Sequence, residues 1–230
     1  MMKLPLILVS FVASAAVLSA QAPDYRQTLR LYEKGLYSRS KMMFDKVEDN
    51  IGKADPAGYS LLCDIKSEVP GYENRIESFV AKYPYSVLIP QIRYFHALNL
   101  FDRQDYKAAN DQFVMVNERT LYREQRTEYA FKSAYCDLEL GNIYSAKEGF
   151  LYTLKKKHSD FTAPSMYALG YIEYQLKNFS GAISWFEKAR SDRRFEEISD
   201  YYIVECLFML KDYEKVIGKG VEVFANVETE

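Results

Sequence analysis

Met166–Ala189 reads MYALGYIEYQLKNFSGAISWFEKA, and the architecture of the whole chain can be worked out from it. Two apolar stretches flank a polar Lys177-Asn178 turn. In the second stretch Phe179, Ala182 and Phe186 are spaced three and four apart, so they share one face of a helix. The same aromatic–small–Phe spacing precedes this segment as Tyr37–Ser40–Phe44, Tyr72–Arg75–Phe79, Tyr106–Ala109–Phe113 and Ile143–Ala146–Phe150, and a weaker copy, Tyr213–Val216–Gly220, follows it. The middle positions 40, 75, 109, 146, 182 and 216 are separated by 35, 34, 37, 36 and 34 residues. A fixed period of this size is the signature of a repeat architecture.

The pattern has a physical reason. Where two antiparallel helices cross, a small residue lets the backbones approach and the neighbouring Phe fills the space beside it. The turns carry matching chemistry: Gln104-Asp105, Gly141-Asn142, Lys177-Asn178 and Lys211-Asp212. Gly141 tolerates the left-handed conformation that ends a helix, and Asn and Asp favour turns and N-caps. With only 10 Gly and 7 Pro in 230 residues, helices joined by short turns are favoured over a many-stranded sheet. No single pair can bury its apolar face, so stacking is obligatory. The expectation is an all-α solenoid of about six helix pairs.

Residues 166–189 resemble the tetratricopeptide repeat. That family's Leu-Gly pair falls on Leu169 and Gly170, its small residues on Ala182 and Ala189, and its aromatic on Phe186. Pro164 stands near the start of the first helix, where proline is tolerated. The resemblance covers roughly residues 25 to 227 and is most specific in the third to fifth copies. Arg75 replaces a small residue, Gly220 replaces Phe, and Asp137 and Glu173 fall where the family prefers an apolar or aromatic residue. The stretch from Phe79 to Ser86 is also similar to repeats of bacterial envelope proteins. The resemblance implies a right-handed superhelix, no catalysis, and a protein or peptide partner held on the concave face by the first helix of each pair.

Aligning the first helices on Gly170 carries the family's contact positions to Tyr94, Phe131, Tyr167 and Tyr201, then to Leu98, Tyr135, Tyr171 and Glu205, then to Phe101, Leu138, Tyr174 and Phe208. Spaced four and three, these form a mainly aromatic stripe. Two readings remain open. The rings pack against the neighbouring repeat, with Asp137 and Glu173 facing solvent, or they line a groove for an apolar helix or extended segment. The stripe lacks the Lys and Asn set with which some family members clamp a peptide carboxylate.

The N-terminus reads as a cleaved secretory signal over 1–20: Lys3, an apolar run of 15 residues from Leu4 to Leu18, then small residues. Cleavage after Ala20 is preferred, because a cut after Ala22 would leave Pro23 next. The run is short of the roughly 20 residues needed to span a bilayer, and no cysteine lies near the cut for lipid attachment. The expected location is therefore periplasmic or secreted, with no membrane span after cleavage and residues 21–230 forming the solenoid.

Net charge is −2, and −3 once Lys3 leaves with the signal, which argues against nucleic acid as a partner. Cys63, Cys136 and Cys206 are an odd set in apolar stretches, better read as small hydrophobes than as a disulfide framework. His96 and His158 are 62 positions apart and lack metal-ligand spacing, so no metal or other cofactor is expected. The three lysines before His158 suit a helix C-terminus. The last helix carries Val216, Ile217, Val221, Val223, Phe224 and Val227 where a solenoid normally closes with a polar cap. That suggests continuation beyond Glu230 or end-to-end contact with another subunit. Three functions fit: an envelope adaptor, the recruiting arm of a larger envelope machine or enzyme, and a glycan-binding module.

Overall fold

The computed structural model describes residues 24–51, 53–156 and 160–227, with side chains described except at 48–51 and 221–227. The signal segment, His158 and the side chains of Val221, Val223, Phe224 and Val227 lie outside the described residues. Twelve α-helices and no strand occur among those described. They are α1 (Tyr25–Glu33), α2 (Tyr37–Ile51), α3 (Ala54–Lys66), α4 (Tyr72–Lys82), α5 (Ile89–Asp102), α6 (Tyr106–Val114), α7 (Arg123–Glu139), α8 (Ile143–Leu154), α9 (Thr162–Gln175), α10 (Phe179–Ala189), α11 (Glu196–Met209) and α12 (Tyr213–Val227). Short 3-10 turns precede α7 and α11. Each odd-numbered helix packs on the even-numbered one that follows, and each pair packs on the next. The architecture is the all-α solenoid of helix pairs that the period predicts, right-handed as the resemblance implies.

Phe44, Phe79, Phe113, Phe150 and Phe186 are all buried, as are Ser40, Ala109, Ala146 and Ala182 at the middle positions. Four apolar clusters succeed one another along the chain instead of one central core. Gly170 shows why close approach matters: a Cβ there would meet the Phe186 ring at 2.7 Å. Pro164 lies in the first turn of α9, where its missing N–H costs no helical bond.

Every odd helix ends in the same way. The closing residues are Lys34, Ser67, Arg103, Leu140, Leu176 and Leu210. The next residue is left-handed in each case: Gly35, Glu68, Gln104, Gly141, Lys177 and Lys211. The backbone N–H beyond it returns to a carbonyl in the last turn, as from Asn142 to Asp137 and from Asn178 to Glu173. This satisfies carbonyls that would otherwise be orphaned. Asp105, Asn178 and Asp212 then cap the following helix with their side chains.

The departures from the repeat pattern find partners. Arg75 forms an ion pair with the buried Asp64 of α3 and donates to Ser60 Oγ at 3.4 Å. A charged residue thus replaces the small one by bringing its counter-ion with it. Glu173 does not face solvent: its side chain is only 7% exposed, and Lys147 Nζ lies 2.5 Å from its Oε1. Asp137 is half-buried and accepts from Ser145 Oγ at 2.6 Å and Asn142 Nδ2 at 3.1 Å.

Candidate functional site: the aromatic groove

The nine aromatic residues of the predicted stripe meet three different fates. Tyr94 is fully buried, and its hydroxyl donates to Glu128 Oε2 of α7 at 2.8 Å. It belongs to the packing between α5 and α7 and cannot contact a partner. Phe101 is half-buried in edge contact with Tyr106 and Tyr135, each at 5.5 Å. At the other extreme Tyr201 and Phe208 are 56% and 58% exposed, because no helix pair among the described residues packs beyond α11 and α12. Tyr174 lies between, donating to Glu205 Oε2 at 2.8 Å while Tyr201 donates to Oε1 at 3.1 Å. The bond from Tyr174 to Glu205, with burial, pushes its pKa up to about 12.

Phe131, Tyr135, Tyr167 and Tyr171 do converge. They line one cavity of about 470 Å³ between α7, α9 and α11, together with Leu138, Glu139, Pro164, Ala168, Phe195 and Tyr202. Tyr167 packs on Phe195 at 5.4 Å and edge-on to Tyr202 at 6.1 Å. Tyr171 meets Tyr202 at 6.0 Å. Glu139 is the one charged residue in this lining and is exposed. Burial, reinforced by Glu139, pushes the Tyr135 hydroxyl up to about 12. Burial and the neighbouring Tyr202 raise Tyr167 further. Both hydroxyls therefore stay neutral donors near neutral pH.

Tyr202, Phe195 and Glu139 were not in the predicted stripe. A stripe spaced four and three follows one edge of each helix, whereas the groove is lined by a wider face. Glu139 stands one residue before the closing Leu140, and Tyr202 eight before the closing Leu210. The Gly170 alignment already places both positions; what was missed is that the groove takes in the residues beside the stripe.

A second cavity, about 400 Å³, lies between α1, α3, α5 and the start of α7. Lys66 enters it with its ammonium 3.4 Å from the centre of the Phe95 ring, and burial lowers its pKa. On its wall Gln91 and Gln125 exchange amide hydrogen bonds of 2.9 and 3.1 Å.

The other candidate chemistry is structural. His96 is buried, with Nδ1 3.1 Å from Tyr72 Oη, and burial lowers its pKa. All three cysteines are buried and unpaired, and burial pushes their thiols up to about 11 for Cys63 and Cys206 and about 12 for Cys136. Such thiols are poor nucleophiles. Among the described residues no cluster of three His, Cys, Asp or Glu could hold a metal ion, and no helix is long and apolar enough to cross a membrane.

The class of protein this architecture defines is the tetratricopeptide-type solenoid, and known structures share it. MamA of AMB-1 superimposes with a TM-score of 0.59 at 19% identity, covering 74% of this chain and 89% of that one. The pilF protein of Pseudomonas aeruginosa gives a TM-score of 0.55 at 13% identity, covering 86% and 87%. A tetratricopeptide repeat protein from Parabacteroides merdae gives 0.52 at 12% identity, covering 87% and 77%. No protein-family model matches the sequence, and no curated protein does. At these identities the likeness is one of fold.

Proposed function

We propose that this protein is a non-catalytic scaffold of the periplasm or cell envelope that holds a protein partner on its concave aromatic face. The observation that carries the reading is the cavity in which Phe131, Tyr135, Tyr167 and Tyr171 meet. Half-buried tyrosines offer a rigid apolar body with a polar tip, the combination favoured at binding anchors. The basic start, apolar run and small-residue site of 1–20 support export. Capture of envelope proteins on the immobilised chain lacking 1–20 tests the reading, with Tyr171→Ala as comparison. Specific capture by the wild type, lost in the variant at retained helicity, is expected. Equal capture by both would refute the groove.

A second reading concerns the end of the solenoid. Phe208, Met209, Leu210, Tyr213 and Ile217 are exposed on α11 and α12. Apolar surface of this kind favours end-to-end contact with a further repeat surface. Sedimentation of the chain as a monomer at every concentration tested would count against self-association through it.

A further inference from the structure

The residues that close the odd helices provide a common register, and in it two positions meet across the groove. One lies a single residue before the closing residue; the other lies eight before the closing residue of the next odd helix. Between α5 and α7 these are Asp102 and Lys132. Lys132 Nζ lies 3.0 Å from Asp102 Oδ1, 3.4 Å from Glu128 Oε1, and 4.7 Å from the centre of the Phe101 ring. Between α3 and α5 they are Lys66 and Phe95, again an ammonium over a ring. At these two crossings a lysine ammonium lies over a ring, supplied by the later helix in one and the earlier helix in the other, whereas the outermost crossings hold Glu33 with Tyr59 and Gln175 with Tyr202.

Between α7 and α9 the same two positions are Glu139 and Ala168. The carboxylate is kept, but alanine stands where Lys132 stood. The space the lysine would fill is the aromatic cavity, and both Glu139 and Ala168 line it. Among the described residues no cation forms an ion pair with Glu139, whose carboxylate lies beside the Tyr135 hydroxyl. Its surroundings remain those of a cation site: Tyr135, Tyr167, Tyr171 and Tyr202 present ring faces and edges, and tyrosine rings attract ammonium groups. The volume falls within the roughly 300–1000 Å³ of ordinary ligand pockets.

We infer that the cavity between α7 and α9 takes a lysine side chain of an extended partner segment, its ammonium against Glu139 and its methylenes against the tyrosines, in the place that Lys132 fills one repeat earlier. The inference rests on the scaffold reading and adds the partner's chemistry to it. Glu205, held by Tyr174 and Tyr201 on the next odd helix, extends the negative surface along the groove. A flanking apolar residue of the partner would cover Phe131 and Phe195.

The test uses the full chain and a fluorescein-labelled Gly-Leu-Lys-Leu-Gly peptide with blocked ends, read by fluorescence anisotropy. Controls carry Nε-acetyl-lysine or glutamate in place of lysine. The lysine peptide is expected to bind about tenfold more tightly than the acetylated one, and more weakly as salt is added. Glu139→Gln should abolish the preference, and Ala168→Lys should block the site from within. Should Ala168→Lys fail to fold, Glu139→Gln, at an exposed side chain, carries the result. Equal affinity for lysine and acetyl-lysine, no binding of the lysine peptide, or an unchanged preference in Glu139→Gln overturns the inference. If envelope proteins are still captured through Tyr171 in any of those cases, the scaffold reading survives and only the lysine anchor fails.

Discussion

Lys147 of α8 reaches forward to Glu173 of α9, Nζ to Oε1 at 2.5 Å, and this bond is one instance of a clamp between successive pairs. Lys147 follows the middle residue Ala146, and Glu173 stands three before the closing Leu176. The same two positions hold Lys41 and Asp64 at 3.9 Å, and Asn110 and Asp137 at 3.5 Å. Between the last two pairs they hold Ile183 and Leu207, which share an apolar cluster. The crossing accepts either a polar pair or an apolar pair. A mismatched one would leave a buried carboxylate alone.

That gives a double-mutant prediction. Lys147→Met should destabilise by about 2 kcal/mol, since Glu173 would lose its cation while keeping Asn178 at 2.7 Å. Adding Glu173→Leu, which copies Ile183 and Leu207, should restore most of the loss. Burial raises the Glu173 pKa, but Lys147 and Asn178 outweigh it and hold it below 4.5. Its contribution is therefore full above that pH and is lost as pH falls through the folded value. Urea titrations across that range should show the loss in wild type and not in the double variant.

The buried imidazole of His96 predicts a second pH dependence. Burial holds its pKa below 6.5; Arg103 and Arg93 reinforce this and Glu73 and Glu77 oppose it. Below 6.5 the unfolded chain takes up a proton that the folded chain refuses. Stability from this group is full above 6.5 and declines as pH falls below it. The thermal midpoint should drop further between about pH 7.5 and pH 5.5 in wild type than in His96→Gln. Equal drops would show that His96 does not contribute.

The left-handed closing turns predict substitutions of opposite sign. At Gly141, φ is +79° and nothing lies within 4 Å of an added Cβ, so Gly141→Ala tests conformation alone. It should cost about 1 kcal/mol. At Lys177, φ is +60° and a side chain is already present. Lys177→Gly should gain about 0.5 kcal/mol, the relief of strain offset by a freer unfolded chain. Chemical denaturation of both variants beside wild type checks the pair of signs.

How much of this was legible depends on which contacts repeat. The five buried Phe residues recur at one position in five of the pairs, as do the small residues beside four of them, so period revealed them. Tyr94 and Tyr201 occupy equivalent positions, yet one is buried and the other exposed, because α7 covers Tyr94 and no later odd helix among the described residues covers Tyr201. Burial at that position is decided by the neighbouring repeat, which a pattern within one helix does not contain. The groove cavity is a further step removed. It depends on Ala168 differing from Lys132, a position beside the predicted stripe and not in it. Glu173 misled for a similar reason, since its partner Lys147 belongs to the preceding pair.

Tyr167 and Tyr171 line the same cavity but differ in what else they hold. Tyr167 touches the Phe186 ring at 5.7 Å, the Phe195 ring at 5.4 Å and the Tyr202 ring at 6.1 Å, bridging α10 and α11. Tyr171 lies against the same buried cluster as Tyr167 but makes one ring contact, with Tyr202 at 6.0 Å, and lines the groove. The two residues thus differ in how many rings each holds, three against one. Tyr167→Ala should cost about 3 kcal/mol, the price of removing a ring from a contact shared by three others. Tyr171→Ala should cost about 1 kcal/mol, the worth of one aromatic pair. Thermal melts of both single variants read the difference directly. Were Tyr171→Ala as damaging as Tyr167→Ala, both rings would be core, and of the α9 tyrosines only Tyr174, which donates to Glu205, would be left for a partner to use.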